Sequence, residues 1–172
     1  MPAAVTEPLL VTFNRDFLKT PDSSLVGARH REYSRRVDEV SCGRVDGLKV
    51  IVVLPQIWME PALVYEDRGY RVYRSGLIPL LRAEPPSLLG FELEPLLIAG
   101  SPFHDGLLAR HIARRWTAPL QIQCHGEFGN SAWANSPRRR AMSLIAGRVL
   151  LSADCVRCVS ESQTLEISSM FR

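Results

Sequence analysis

The sequence contains no long hydrophobic run. Among its 172 residues, no apolar stretch approaches the roughly 20 residues that a membrane-spanning helix requires. The amino terminus, MPAAVTEPLLVTF, also lacks a basic segment followed by an apolar core, so a secretory signal is not expected. With 46% hydrophobic and 23% charged residues, the chain has the composition of a single soluble domain. A domain of this size buries roughly 70% of the surface that its unfolded chain exposes. We expect the protein to be cytoplasmic.

Lysine is also scarce. Lys19 and Lys49 are the only two, so arginine supplies almost all of the 21 basic residues, and the net charge is +3. The guanidinium group binds carboxylate and phosphate through parallel hydrogen bonds, but a biased genomic base composition would produce the same excess. We favour the genomic explanation, because a surface charge bias alone indicates little about function. No nucleic-acid partner is expected.

Three familiar sequence motifs are absent. No G-x-G-x-x-G follows the first apolar run, no G-x-x-x-x-G-K-[ST] occurs, and no G-x-S-x-G is present. These absences exclude a dinucleotide fingerprint, a Walker-type phosphate loop and a serine hydrolase elbow. His104, His111 and His125 could be imagined as metal ligands, but His111 falls on the arginine side of its predicted helix. We therefore expect neither a metal site nor a cofactor.

Cysteine is limited to four residues, which are expected to be reduced in an intracellular chain: Cys42, Cys124, Cys155 and Cys158. The segment CVRC at 155–158 has the spacing of a redox motif or of half a zinc site. No second Cys or His pair lies near it at ligand spacing, so we favour two small residues in a buried strand.

The chain alternates between apolar runs and amphipathic segments. Strands are expected at 8–14, 48–55, 69–76, 96–99, 119–124 and 155–160. Helices are expected at 28–40, after an N-cap at Ser101 with Pro102, at 137–152 and from Ser160, where Gln163 takes the capping-box position. In the first helix, Tyr33, Val37 and Val40 share the apolar face. This rhythm predicts an α/β fold: a Rossmann-like, doubly wound, mostly parallel sheet of about six strands with helices on both faces.

Polar residues follow the predicted strands. In open parallel sheets, ligands bind beyond the carboxyl ends of the strands, where loops lead into helices. Those loops correspond to 14–27, 55–60, 100–105, 124–136 and 160–163. Most of them carry polar side chains that a packing loop does not require, such as Asn14, Ser101, Asp105, His125 and Glu127.

Two segments resemble the N-terminal domain of family-4 glycosyltransferases, retaining enzymes of the GT-B fold. EPLLIAGSPFHDGLLARHIARRWTAPLQIQCHGEF is similar to the family's strand, helix and second strand ending in His-Gly. LLSADCVRCVSESQTLEI is similar to the segment in which a helix ends at Ala-Asp and Ser-Glu opens the next helix. The resemblance is strongest over 94–167. The first half fits in topology but lacks the family's double glycine in the loop after strand one.

The resemblance implies a hexosyltransferase that acts in polysaccharide biosynthesis. Such enzymes transfer a sugar from a nucleotide-sugar to a glycan or lipid-linked acceptor, in a cleft between two Rossmann-like domains. Residues 1–172 would be the acceptor-side domain, and the nucleotide-sugar, a co-substrate rather than a cofactor, would be held mainly by a second domain beyond Arg172. On this interpretation the chain is an N-terminal fragment that does not turn over alone.

The resemblance also implies roles for individual residues. His125 matches the family's cleft histidine and is the predicted catalytic residue, with Gly126 clearing space for a sugar. The predicted acceptor contacts are Gly27, Arg29, Ser101, His104, Asp105, Gly126, Glu127 and Ser160. For Ser101, His104, Asp105 and Glu127 a helix cap or a solvated loop explains each residue equally well.

Further alternatives remain open on the residues. Arg29 and 138–140 are expected in first helical turns, an unfavourable position for cations that suggests an acceptor phosphate, although a solvated face is favoured for at least two of the triplet. The segment 131–151 combines Trp133 with basic and apolar residues and could contact a membrane surface peripherally. The alternative function, from a different class, is a stand-alone Rossmann-like binding or interaction module without catalysis.

Overall fold

The computed structural model describes residues 6–19, 24–41, 45, 47–67, 69–82, 89–90, 94–125 and 135–170. Within these residues the chain forms seven strands: β1 Thr6–Thr12, β2 Leu48–Val53, β3 Ala62–Asp67, β4 Tyr70–Ser75, β5 Glu94–Ala99, β6 Leu120–Cys124 and β7 Cys155–Cys158. The α-helices are α1 Leu25–Ser41, α2 Leu77–Arg82, α3 His104–Trp116, α4 Pro137–Leu150 and α5 Glu161–Met170. A short 3₁₀ helix, Arg15–Leu18, follows β1.

The strands form one sheet in the order β3-β4-β2-β1-β5-β6-β7. Every neighbouring pair is parallel except β3 and β4, which are antiparallel. Without β3, the order is the third, second, first, fourth, fifth and sixth parallel strand, which is the Rossmann arrangement. The predicted fold class is confirmed.

The expectation of about six strands missed β3. This strand lies at the sheet edge, and its residues are half-buried or exposed, so it lacks the continuous apolar run that identifies a central strand. Gly69, with φ of 81°, precedes β4 and allows the tight reversal between the two strands. The additional strand extends the sheet without changing the parallel order.

The two faces of the sheet have separate cores. One face, which we call the α3 face, packs against α2, α3, α4 and α5 and contains most of the buried side chains. The other, which we call the α1 face, is smaller and packs against α1 and the 3₁₀ helix through Leu10, Val50, Val52 and Tyr70. In α3, Gly106 permits the close approach of α4, because a Cβ there would lie 2.8 Å from Val149 Cγ1.

Helix α1 begins three residues earlier than expected and does not use the predicted face. Its buried residues are Gly27 and Ser34, and Ser34 Oγ accepts a hydrogen bond from Leu48 N at 3.0 Å. Small side chains let the helix lie close to the sheet, so the stripe of Tyr33, Val37 and Val40 points elsewhere. Tyr33 and Val37 are half-buried and Val40 is 84% exposed.

Two further local expectations were wrong. Helix α3 begins at His104, with Phe103 in the N-cap position and no side-chain cap, so Ser101 and Pro102 belong to the preceding turn. Cys155 is exposed rather than buried, because β7 is the outermost strand of the described sheet and its alternate residues face the α1 side. By contrast, the expected cap of α5 is confirmed, and α4 is capped in the same way. Ser136 Oγ accepts from Arg139 N, and Ser160 Oγ accepts from Gln163 N.

Candidate functional site

The direction of the strand order reverses at β1. This strand pairs with β2 on one side and with β5 on the other. The chain therefore leaves β1 and β5 in opposite directions, and a crevice opens beyond their carboxyl ends. Phe13 and Gly100 are the first residues past the two strands, and the predicted site residues around 101–105 follow directly.

Asp105 joins the two sides of this crevice. Its Oδ1 accepts a hydrogen bond from Phe13 N at 3.1 Å, and Oδ2 lies 3.4 Å from Thr12 Oγ1. Thr12 Oγ1 accepts in turn from Asn14 N at 3.1 Å. Burial raises the pKa of Asp105, while these donors and Ser101 act in the opposite direction. Asp105 is thus placed to fix the end of β1 against α3.

Ser101 and His104 are close to this carboxylate. Both interact with Asp105 and lower its pKa against the effect of burial. His104 is exposed at the start of α3, and Ser101 is half-buried in the turn before it. The structure therefore brings three of the predicted residues together beside the end of β1.

His125 stands at the carboxyl end of β6, as predicted. Its Nε2 lies 3.1 Å from Gln123 Oε1. Because an amide oxygen can only accept, the ring donates from Nε2 and leaves Nδ1 with a free lone pair. Partial burial of the ring, followed by the charges of Arg157 and Arg29, lowers the pKa of His125. At neutral pH the ring is therefore uncharged, able to donate at one nitrogen and accept at the other.

A second imidazole, His30, lies nearby on α1. Its Nδ1 lies 2.8 Å from Val26 O and donates to it, and the ring packs edge-on against Phe17 and Tyr33. Burial lowers the pKa of His30, the hydrogen bond to Val26 O opposes this shift, and the charges of Arg29 and His125 lower the pKa further. The amino-terminal turns of α1 thus meet the ends of β6 and β7.

Four basic side chains define what we call the basic cluster: Arg29, His30, His125 and Arg157. All of the charges that act on its two imidazoles are positive. Like charges disfavour protonation of the rings, and an anion would relieve the repulsion. The cluster is suited to a phosphate or to a polyol that pairs with a neutral imidazole and a guanidinium.

Sequence reasoning identified Arg29 and His125 but missed His30 and Arg157. Arg157 lies within β7 and becomes relevant only because the register pairs it with Gln123 on β6. His30 follows Arg29 directly, yet the sequence does not indicate that this turn of α1 meets β6. Both omissions concern contacts between distant elements.

The remaining predicted contacts have different positions. Gly27 is buried within α1 instead of lying in a loop. Ser160 caps α5, and the cap is reinforced because Val159 N donates to Gln163 Oε1 at 3.0 Å. Gly126 and Glu127 lie outside the described residues.

The arginine triplet occupies the first turn of α4, as expected. All three residues are exposed: Arg138, Arg139 and Arg140. The Arg139 guanidinium donates to Asn135 Oδ1 at 3.3 Å. The exposure agrees with a solvated face for this triplet.

The Cys124 thiol is not placed as a nucleophile. Burial raises the pKa of Cys124 to about 12, and its neighbour Cys158 acts in the same direction. These two cysteines lie opposite each other on β6 and β7. At neutral pH the Cys124 thiol stays protonated, and only a thiolate is reactive. Cys42 lies outside the described residues.

No group of three or more His, Cys, Asp or Glu side chains in the described part of the chain is arranged to hold a metal ion. None of the helices within the same residues is both long and apolar enough to cross a membrane.

Fold and site together define a Rossmann-like α/β domain with a basic cluster at the carboxyl edge of its sheet. No protein-family model matches the sequence, and no curated protein gives a significant match.

Proposed function

We propose that the chain is the acceptor-binding N-terminal domain of a retaining glycosyltransferase. The enzyme would transfer a sugar from a nucleotide-sugar to a glycan or lipid-linked acceptor. One observation supports the proposal: His125 ends β6 at the carboxyl edge of a Rossmann-order sheet, near His30 and the positive charges of Arg29 and Arg157. The resemblance of the segments around His125 and Ser160 to family-4 glycosyltransferases supports the same assignment.

The chemistry follows from the state of the imidazole. Neutral His125 can accept a sugar hydroxyl at Nδ1 while Nε2 stays bonded to Gln123, so the ring orients the sugar without a change of charge. During transfer the acceptor oxygen replaces the nucleoside diphosphate of the nucleotide-sugar at the anomeric carbon of the sugar. The diphosphate leaves with the bonding electron pair, and the acceptor hydroxyl proton passes to it or to water. Arg29 and Arg157 would stabilise phosphate charge near the reacting carbon.

A paired-glutamate motif, which the resemblance assigns to a second domain, would supply the remaining contacts to the nucleotide-sugar. We therefore expect binding, but no turnover, from residues 1–172 alone. Two separate measurements are therefore needed. One is the binding of an anion or a sugar by this chain, and the other is sugar transfer by the protein expressed from its complete reading frame.

The test uses the protein expressed from its complete reading frame, with His125→Ala compared against His111→Ala. His111 is exposed on α3 and is not a member of the basic cluster, which makes it the matched control. A hydrogen bond to a charged or developing charged group contributes about 1.5–3 kcal/mol, which corresponds to roughly 10- to 100-fold. We expect kcat/KM for sugar transfer to fall by that factor in His125→Ala and to stay unchanged in His111→Ala.

Equal activity of the two variants would contradict the role of His125. Binding of sugar phosphates without any transfer by the protein from the complete reading frame would favour the alternative, a binding module without catalysis.

A further inference from the structure

Two cysteines face each other across β6 and β7. Cys124 is the last residue of β6 and Cys158 is the last residue of β7, and the parallel register aligns the two directly. Residues aligned in this way point to the same side of the sheet. Both side chains pack in the core of the α3 face, where Cys124 is fully buried and Cys158 is half-buried. The two thiols are therefore neighbours in one apolar environment.

The two side chains also interact. Burial raises the pKa of Cys124 most, and the charge of Cys158 and a hydrogen bond with the Cys158 thiol act in the same direction. Cys155, on the same strand, is different, because it is exposed on the other side of the sheet and lies opposite Gln121. Only one of the two thiols of β7 thus faces Cys124.

The spacing of the strands suits a disulfide. Neighbouring strands lie about 4.7–4.9 Å apart, and disulfides usually join residues whose Cα atoms are about 4.4–6.8 Å apart. The Cβ atoms of a disulfide lie about 3.5–4.5 Å apart, so one strand must move slightly toward the other. Strand β7 can make this movement, because it is the outermost strand of the described sheet and both cysteines lie at strand ends.

The burial of the pair favours a small oxidant and an order of events. Cys158 retains exposed surface, whereas Cys124 retains none. Hydrogen peroxide is small and uncharged, and it oxidises a thiolate to a sulfenic acid, which condenses with a neighbouring thiol to a disulfide. The partly exposed thiol is therefore expected to react first and the buried thiol second.

We propose that Cys124 and Cys158 form a redox modification site, at which peroxide joins β6 to β7 through a reversible disulfide. The Cys158 thiolate attacks a peroxide oxygen, the O–O bond breaks, and the released hydroxide takes up the proton that Cys158 lost. The Cys124 sulfur then attacks the sulfenic sulfur of Cys158. The S–O bond breaks, and the hydroxyl group leaves as water with the thiol proton of Cys124. In total, two thiols are oxidised to one disulfide and one peroxide is reduced to two waters.

The disulfide would clamp the two strands next to the basic cluster. His125 follows Cys124 directly, and Arg157 directly precedes Cys158. The bond would thus fix the ends of the strands that carry these two side chains. It also closes a long loop, which restricts the unfolded chain and stabilises the fold. Formation of the disulfide is separate from the proposed sugar transfer and does not depend on it.

The test treats the full chain, under native conditions, with equimolar hydrogen peroxide. Remaining thiols are alkylated, the chain is digested without reduction, and the peptides are mapped by mass spectrometry. We expect one disulfide within the chain, between the peptides that contain Cys124 and Cys158, and dithiothreitol should remove it. The oxidised chain should unfold at a higher temperature than the reduced chain. A sample unfolded in urea before oxidation is the control and should give mixed pairings.

Variants separate the roles of the two thiols. Cys124→Ala is expected to stop at the sulfenic acid of Cys158, which dimedone traps, whereas Cys158→Ala is expected to leave Cys124 as a free thiol. Cys155→Ala is the matched control, because it removes the exposed thiol of the same strand. It should form the disulfide to the same extent as the wild type. Circular dichroism confirms that each variant is folded.

Three outcomes would overturn the proposal. They are thiols of Cys124 and Cys158 that both stay free after treatment, a disulfide that uses Cys42 or Cys155 instead, and a Cys124–Cys158 disulfide that forms only in urea. All three can be observed with the wild-type chain, so the test does not depend on the folding of any variant.

Discussion

The amino and carboxyl edges of the sheet differ in how their charged side chains are paired. At the amino edge, Lys49 Nζ lies 2.8 Å from Glu7 Oε2 and donates to Gly90 O at 3.2 Å, and both charged side chains are buried. At the carboxyl edge, the charges that act on His30 and His125 are all positive. The fold itself therefore neutralises the buried charge at the amino edge, whereas the charges that act on the two imidazoles at the carboxyl edge repel one another.

The largest expected effect comes from breaking the amino edge. Lys49→Ala leaves Glu7 buried without its partner, and removal of one member of a buried ion pair is destabilising by about 3–5 kcal/mol. We expect that loss in the free energy of unfolding, measured by chemical denaturation.

The double variant Glu7→Leu/Lys49→Met is the control, because it replaces both charges with apolar groups and leaves neither unpaired. We expect it to be closer to the wild type than Lys49→Ala is. A single variant with wild-type stability would show that the pair is not neutralised internally.

A smaller effect is expected at the crevice. Asp105→Ala removes the acceptor for Phe13 N, and the loss of a typical intramolecular hydrogen bond is destabilising by about 0.5–1.5 kcal/mol. Asp105→Asn retains an acceptor oxygen and removes the charge, so we expect it to be more stable than Asp105→Ala.

The pH dependence has a definite sign. The pKa of Asp105 is raised in the folded chain, so its stabilising contribution is complete below its unfolded value of about 3.9 and is lost as pH rises through the folded value. As pH rises over that range, the wild type should therefore become less stable relative to Asp105→Asn. A flat difference would contradict the burial of this carboxylate.

The basic cluster predicts a third, more modest effect. The pKa values of His30 and His125 lie below the ordinary value of about 6.5. Their neutral forms therefore contribute stability that is present above pH 6.5 and is lost as pH falls through the lowered values. Compared with His125→Ala, the wild type should lose more of its free energy of unfolding on acidification.

Sulfate sharpens this prediction, because it remains a dianion throughout the range. Added sulfate should bind the protonated cluster and offset part of the loss in the wild type, and offset less in Arg157→Ala. Identical sulfate responses in the two proteins would argue against an anion site.

The smallest effect is expected from exposed ion pairs on α1. Glu32 accepts from Arg35 and Arg36, which lowers the pKa of Glu32 to about 2. Exposed pairs contribute little to stability, so Arg35→Ala should leave the unfolding midpoint within experimental error. The pKa of Glu32, followed by NMR, should nevertheless rise. A midpoint shift as large as that of Asp105→Ala would break the ranking.

The parallel core could be predicted from sequence because its signal is local. Residues 50–53 are apolar on both faces, as a central parallel strand requires. The face of α1 that packs on the sheet could not be predicted from sequence, because periodicity identifies an apolar stripe but not the surface that the stripe contacts. Gly27 and Ser34, which are small rather than apolar, determine how α1 lies on the sheet.

The candidate site divides in the same way. His125 was predictable because a strand ends before it, and strand ends meet at one edge of a parallel sheet. Arg157 was not, because its relevance depends on the register between β6 and β7. Contacts between distant elements are the part that one sequence does not encode locally.

The central claim is that the carboxyl edge binds a phosphorylated sugar through the basic cluster. The chain has four histidines, so titration with glucose 1-phosphate, followed by imidazole ¹H–¹⁵N spectra, tests the claim directly. We expect the signals of His30 and His125 to shift on binding, that of His111 to stay fixed, and the shifts to be lost in Arg157→Ala. Unchanged signals for His30 and His125, or equal shifts of all four rings, would contradict the account.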